Sequence, residues 1–286
     1  MTTSNPGVYR TKIGDIAITA LNDGMFEAGT GVLVGITPDD AERLEVAHFR
    51  ALPPRITISA FLVEIGAKKI LIDAGSANAF GPAHGFMRKG LASLGIAPGE
   101  ISTVLLTHAH IDHASGLIDD AGAAYFPNAE LILNAAEAEF WLNADIAAAA
   151  PDAAKDSFAL AVRCLTPYRE RTRQVKHGEV VMPGVMVQHL PGHTPGHTGW
   201  ILASGDDSLL VWGDVVHLPG IQFTNPDAGM VFDTDADLAR VSRRKTFDMA
   251  ATDRLRVAGM HLDFPCFGHV AKAAQGYAFV PDVWLA

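Results

Sequence analysis

One stretch of thirteen residues limits what this chain can become more than any other. Ile101-Ser102-Thr103-Val104-Leu105-Leu106 is a β-branched and aliphatic run of the kind that forms a buried strand. It delivers the chain directly into Thr107-His108-Ala109-His110-Ile111-Asp112-His113, where His108, His110, Asp112 and His113 can all ligate a metal. On a turn after a strand, His108 and His110 point to one side while Asp112 and His113 swing to another. The four do not easily share one tetrahedral ion, whereas two adjacent metals would use them well. Imidazole and carboxylate suit Zn²⁺, with ligand distances of about 2.0–2.2 Å. A lone histidine is ordinarily a hydrogen-bonded core or surface residue; this cluster is not ordinary.

The same arrangement, a strand ending in polar residues, recurs along the chain. Residues 9–21 alternate as a strand ending at Asn22-Asp23-Gly24, and residues 56–64, Gly66 and residues 69–72 read as a hairpin that ends in Asp73-Ala74-Gly75. Thr37-Pro38-Asp39-Asp40 marks a helix start, with a threonine cap, proline at the first position and acids in the first turn. Helices are expected over 85–94, 135–142, 144–164 with an interruption near Pro151, and 234–251. Strands are expected over 130–134, 180–189 with 185–190 leading into the next loop, 209–212 and 256–260. Strand 185–190 runs into Pro191-Gly192-His193-Thr194-Pro195-Gly196-His197, and strand 209–212 into Gly213-Asp214. In layered α/β folds that edge is where active sites are built. Neither a repeat, a Gly/Ser linker nor a low-complexity stretch divides the chain, so one domain over 1–286 with two similar halves is expected.

Composition narrows the function. The chain has 286 residues with 22 Lys+Arg against 32 Asp+Glu, a net charge of −10. Its densest basic stretches, at Arg169, Arg171 and Arg173 and at Arg243-Arg244-Lys245, are too short to displace counterions along a nucleic acid, so no nucleic-acid partner is expected. At 49% hydrophobic and 19% charged it can build a sizeable core. The most apolar stretch, 56–72, is broken by Glu64, Lys68 and Lys69, so no membrane span is expected. Residues 1–7 lack a basic segment followed by an apolar one, which makes a cytoplasmic location the expectation. Cys164 and Cys266 are read as buried free thiols, leaving metal ligation to histidine and carboxylate.

Four motifs in order carry a resemblance. Thr107 to His113, Gly192 to His197, Trp212-Gly213-Asp214 and Phe267-Gly268-His269, with Leu71-Ile72-Asp73-Ala74-Gly75 before them, resemble the metallo-β-lactamase fold hydrolases over essentially the whole chain. The resemblance implies an αββα sandwich, two facing mixed β-sheets with helices outside. It implies two Zn²⁺, or other divalent transition metals: His108, His110 and His193 on one, Asp112, His113 and His269 on the second, with Asp214 bridging. His197 is read as structural, and Thr107 and Asp73 as partners that orient ligands. The chemistry implied is attack of a metal-bridging hydroxide on an electrophilic carbonyl or phosphorus, with Asp112 or metal-bound water returning a proton to the leaving group.

Within that family, Trp212 to His217, Ile221-Gln222-Phe223, Gly229 to Asp233 and Gly259 to His269 resemble the branch of methyl parathion hydrolase and related lactonases and aryl esterases. The expected substrates are small lactones or aryl esters, with promiscuity toward phosphotriesters. Acyl-homoserine lactonase and organophosphate hydrolase are the alternatives, followed by β-lactamase and mononuclear iron persulfide dioxygenase. Acyl-homoserine lactonases of this fold place a tyrosine a few residues after the bridging Asp. Here Val215, Val216 and His217 stand there, and His217 either donates to substrate or caps a strand end. Phe26, Phe86, Trp141, Phe223 and Met230 are candidates for an apolar substrate wall, each competing with plain core packing. Glu137 and Glu139 read as an exposed helix face. A homodimer is the oligomeric option carried forward.

Overall fold

The computed structural model describes residues 7–283, so the N-terminal reading at residues 1–6 lies outside the described residues. Strands β1 (Val8–Ile13) and β2 (Ile16–Glu27) open the chain, followed by the two-residue β3 (Leu33–Val34) and helix α1 (Pro38–Ala47). Next come β4 (Arg55–Ile65), β5 (Lys68–Ile72), α2 (Phe86–Ser93), β6 (Ile101–Leu105), the one-turn α3 (Ile111–Ala114) and β7 (Glu130–Asn134). Helices α4 (Ala135–Leu142), α5 (Ala144–Ala149) and α6 (Asp152–Leu165) lead to β8 (Thr172–Val175). The second half holds β9 (Val180–Met182), β10 (Val185–His189), β11 (Thr198–Ser204), β12 (Asp207–Val211), α7 (Pro219–Gln222) and β13 (Gly229–Met230). It closes with α8 (Ala236–Thr252), β14 (Arg256–Ala258), β15 (Phe267–Lys272) and β16 (Tyr277–Pro281).

Two seven-stranded mixed sheets result, ordered β1-β2-β4-β5-β6-β7-β8 and β16-β15-β14-β12-β11-β10-β9, with β3 and β13 forming a small third pair. Strand periodicity explains why they face each other. On β5, Ile70 and Ile72 belong to the cluster between the sheets while Leu71 joins the cluster under the helices; on β7, Ile132 goes inward and Leu131 and Leu133 outward. Both faces of these strands are buried, which is why they read as unbroken apolar runs rather than as alternating ones. Trp200 and Trp212 fill the inter-sheet core from the second half. The αββα sandwich implied by the sequence is the observed fold.

The expected elements hold with two exceptions. Residues 9–21 are not one strand: Gly14-Asp15 turns the chain between β1 and β2, and β2 continues through Asn22-Asp23-Gly24 as a bulge against β4. There the side chain of Asp23 is buried and accepts from Ser76 N (2.7 Å), Ser76 Oγ (2.6 Å) and Met87 N (2.9 Å), so the turn-like composition serves loop anchoring. Residues 180–189 likewise form a hairpin, β9 to β10, around Pro183-Gly184. Thr37 caps α1, its Oγ1 accepting from Asp40 N at 3.2 Å. Cys164 and Cys266 are buried free thiols, and burial pushes them up to about 11 and about 12. Among the described residues no helix is long and apolar enough to cross a membrane.

This topology gathers the motifs. β5, β6 and β7 run parallel, so Asp73, the 107–113 loop and the start of α4 emerge at one edge of the first sheet. β12 and β14 run parallel in the second sheet and release Asp214 and His261 at one edge, beside the β10–β11 loop that carries His193.

Candidate metal centre

The loop after β6 is fixed before any side chain reaches the site. Thr107 donates from its amide to Asp73 Oδ1 (2.7 Å) and from its hydroxyl to Asp73 Oδ2 (2.7 Å), and its carbonyl accepts from Thr198 N (2.9 Å) across to the second sheet. The chain then turns into α3, and the carbonyl of His113 accepts from Ala74 N (2.9 Å). Both anchors put the 107–113 segment against the strand-end loop at residues 73–75.

Three imidazole nitrogens meet in a near-equilateral triangle. His108 Nε2 lies 3.0 Å from His110 Nδ1, His110 Nδ1 lies 2.9 Å from His193 Nε2, and His193 Nε2 lies 3.1 Å from His108 Nε2. Ligands about 2.0–2.1 Å from a tetrahedral ion stand about 3.3 Å apart, so the triangle has the size such an ion needs. Beside it, Asp112, His113 and His261 form a second group, with His113 Nε2 and His261 Nε2 each 3.5 Å from Asp112 Oδ2. Asp214 lies between them: Oδ2 is 3.2 Å from His193 Nε2, 3.5 Å from His108 Nε2 and 3.1 Å from His261 Nε2, while Oδ1 is 3.3 Å from His113 Nε2. His113 Nε2 and Asp214 Oδ1 are buried and make no hydrogen bond. Buried polar atoms are nearly always paired, so two orphans converging in a nest of imidazole and carboxylate fit a cation-binding centre.

His269 does not join this centre, which corrects the ligand set drawn from the sequence. It lies on β15, half-exposed, with Nε2 3.9 Å from Asp282 Oδ1. The cause is strand direction. β15 runs antiparallel to β14 and pairs His269 with Arg256, at the start of β14, whereas the site lies past the other end of β14. His261 emerges at that end and takes the place assigned to His269.

The outer nitrogens of three of these rings are held in turn. His113 Nδ1 donates to Asp73 Oδ2 (2.7 Å), His193 Nδ1 to Asp233 Oδ1 (2.7 Å) and His261 Nδ1 to the Thr57 carbonyl of β4 (2.6 Å). Each bond fixes the tautomer that turns a lone pair inward. The electrostatics agree. Burial, aided by neighbouring imidazoles, keeps His108 and His110 well below the usual imidazole range, hence neutral. Burial works the same way on His113, but Asp214, Asp112 and Asp73 outweigh it and hold that ring well above its usual range. His193, also buried, is raised to about 9 by Asp214 and Asp233. Burial opposes ionisation of Asp214, yet His113, His261, His108 and His217 hold its carboxyl well below the usual range. Four carboxylates, Asp73, Asp112, Asp214 and Asp233, therefore impose positive charge on this pocket, as imidazolium without metal or as divalent cations with it.

His197 takes the structural place expected of it. Nδ1 donates to the Leu190 carbonyl (2.7 Å), and Nε2 accepts from Asp214 N (2.8 Å). That ring fills the space beside Gly213, where an added Cβ would collide with His197 Nε2, so glycine lets Asp214 come this close. His217 is buried with Nε2 3.1 Å from Asp214 Oδ2, and its ring stacks on His261 at 5.0 Å. Gln222 Oε1 accepts from its amide at 2.6 Å. Burial lowers His217 to about 4, so it is neutral near pH 7.

Of the proposed wall residues, only Trp141 reaches the cluster, its ring standing edge-on to His110 at 5.5 Å. Phe223 stacks on Phe247 (4.8 Å) in the inter-sheet core, Phe26 packs on Phe80 (5.3 Å), Met230 sits in the small core cluster near α1, and Phe86 lies under Lys89 on α2. Phe232, which was given no role, meets His217 at 5.1 Å and His193 at 6.0 Å while remaining partly open to solvent. Glu137 is fully buried, unlike Glu139, and so is no part of an exposed face.

The model of the metallo-beta-lactamase superfamily matches residues 54–261, ending on His261 and short of His269. The chain is similar to the solved structure of hydrolase AbOPH of the beta lactamase superfamily, with 32% identity, a TM-score of 0.92, and 98% of this chain and 99% of that one covered. It is equally similar in shape to AidC, a dizinc quorum-quenching lactonase solved with the product N-hexanoyl-L-homoserine: 28% identity, TM-score 0.92, coverage 98% and 99%. An N-acyl homoserine lactonase from Bacillus sp. is 26% identical over 195 residues, which are 67% of this chain and 65% of that relative's length.

Proposed function

The chain belongs to the metallo-beta-lactamase superfamily, and from that premise we propose that it is a dinuclear zinc hydrolase that opens lactones or cleaves aryl esters, with phosphotriesters as secondary substrates. One observation carries the reading: a single buried carboxylate, Asp214, touches both imidazole groups, and its Oδ1 and His113 Nε2 make no hydrogen bond. His108, His110 and His193 would hold one cation, Asp112, His113 and His261 the other, and Asp214 would serve both. Cations bound there supply a water acidified from about 15.7 to about 7 and a Lewis acid for the substrate oxygen.

The remaining steps belong to side chains. Asp112 is the most open carboxylate of the cluster and takes the proton released on attack, returning it to the leaving alkoxide. Neutral His217 donates its one N–H from Nε2 to Asp214 Oδ2 and so orients the carboxylate shared by the two groups. Phe232 and Trp141 flank the imidazoles and exclude water from the apolar part of the substrate. The likeness to a lactonase solved with its ring-opened product supports lactones as the substrate class. One domain over 1–286 is part of the same reading, and two buried thiols without a disulfide fit a reducing compartment such as the cytoplasm. A complete second ligand group favours two metals over the mononuclear iron alternative.

A panel of homoserine lactones, aromatic lactones, aryl esters, phosphotriesters and a cephalosporin on zinc-loaded protein tests this. Lactones or aryl esters are expected to exceed the cephalosporin by at least about 10²-fold in kcat/KM. Zinc-loaded protein that turns over none of the lactones and esters overturns the reading. On the best substrate, His217→Ala is expected to lower kcat about 10- to 100-fold, the order found when a residue that orients a metal ligand is lost; kcat within twofold would remove His217 from the chemistry.

A further inference from the structure

The two ligand loops arise from different sheets: residues 107–113 follow β6 in the first, and residues 191–197 join β10 to β11 in the second. One carboxylate joins them. Glu137 Oε1 accepts from Ala109 N (2.9 Å) and Trp141 Nε1 (2.6 Å), and Oε2 accepts from Thr194 Oγ1 (2.6 Å) and Gly196 N (3.1 Å). Ala109 lies between His108 and His110, and Thr194 follows His193. Every corner of the imidazole triangle is thus one residue away from a group that Glu137 binds.

The site is built for this contact. Glu137 is fully buried, and four donors satisfy its two oxygens. It stands in the first turn of α4, where the helix dipole favours a negative charge. Gly196 meets the first turn of α4 so closely that a Cβ would collide with the Glu137 backbone nitrogen. Trp141, one turn later on α4, shares Oε1 and stands its ring against His110. Burial pushes the carboxyl above its usual range while the four donors pull it back.

We infer that Glu137 is a positioning residue that sets the spacing of His108, His110 and His193, and through it the metal affinity of that position alone. The inference rests on the proposed metal centre but not on the identity of the substrate. Glu137→Gln replaces one oxygen by an amide that faces donors, so one loop loses its hold.

The test is titration of metal-free protein with Co²⁺, followed by visible absorption and chelator competition, in two backgrounds. In His261→Ala, where the imidazole triangle is the intact position, E137Q is expected to weaken Co²⁺ binding by about 10- to 100-fold. In His110→Ala, where the Asp112, His113 and His261 position is intact, the same change is expected to stay within about threefold. Equal losses in both backgrounds, or no loss in the first, overturn the inference, because a merely structural role would act on both positions alike. Should E137Q fail to fold, Thr194→Val removes a single donor and is expected to give a smaller loss with the same preference; absence of that preference overturns it equally. A parent chain that binds two Co²⁺ yet hydrolyses nothing in the panel refutes the proposed substrate class and leaves this inference standing.

Discussion

His261→Ala is expected to lower kcat/KM by about 10³-fold and to reduce bound zinc from two equivalents to one, whereas His269→Ala is expected to leave both within about twofold. The two residues separate two ways of locating the same ligand. Both follow a glycine within a few positions, and both lie in the C-terminal part of the chain. Only His261 stands beyond the end of β14 on the site's edge, 3.1 Å from Asp214 Oδ2 with its outer nitrogen fixed by the Thr57 carbonyl. His269 sits eight residues on, after the chain has reversed, half-exposed beside Asp282. Zinc content by elemental analysis, with steady-state kinetics on the best substrate, distinguishes them. Normal zinc in His261→Ala together with loss in His269→Ala would reverse the assignment.

The second large effect belongs to Asp214. Asp214→Ala is expected to release both metals to below about 0.2 equivalents after dialysis and to lower kcat/KM by at least about 10⁴-fold, since either cation alone loses its shared carboxylate and the acidified water disappears with them. The melting temperature of the metal-free form decides whether this is unfolding. In the parent, burial of Asp214 is offset by four surrounding imidazoles, and His113 and His193 are raised toward protonation partly by Asp214 itself. Removing the carboxylate weakens that pull while Asp73 and Asp112 still face His113 and Asp233 still pairs with His193, and neutral histidines are tolerated in this core, as His108, His110 and His217 are. The variant is therefore expected to fold while failing to bind metal. Retention of one full zinc equivalent would show that Asp214 serves one position only.

Most of the centre was legible because its residues sit at strand ends. A buried strand must stop where its polar residues begin, so the runs into residues 107–113, 191–197 and 213–214 mark the edge as well as the clustered histidines and aspartates. The same rule applied to strand 256–260 points to His261; the resemblance favoured the later Gly268-His269 instead, and nothing in a local motif announces that β15 turns back. Glu137 was hidden for a different reason. Glu137 and Glu139 differ by about 200° around a helix, so one can be wholly buried while the other is solvated, and composition treats them alike. Asp233 and Phe232 were visible as part of a motif without a role, because their partners His193 and His217 lie 40 and 15 residues away in sequence. The hairpins at Gly14-Asp15 and Pro183-Gly184 were read through as single strands because two-residue turns barely interrupt the alternation.

The central claim, two cooperating metals in one hydrolytic site, has a direct measurement: hydrolysis of the best lactone or ester by metal-free protein as Zn²⁺ is added in measured equivalents. Activity absent without metal and rising to a plateau at two equivalents is the predicted result. Full activity at one equivalent, or activity in metal-free protein, would contradict it.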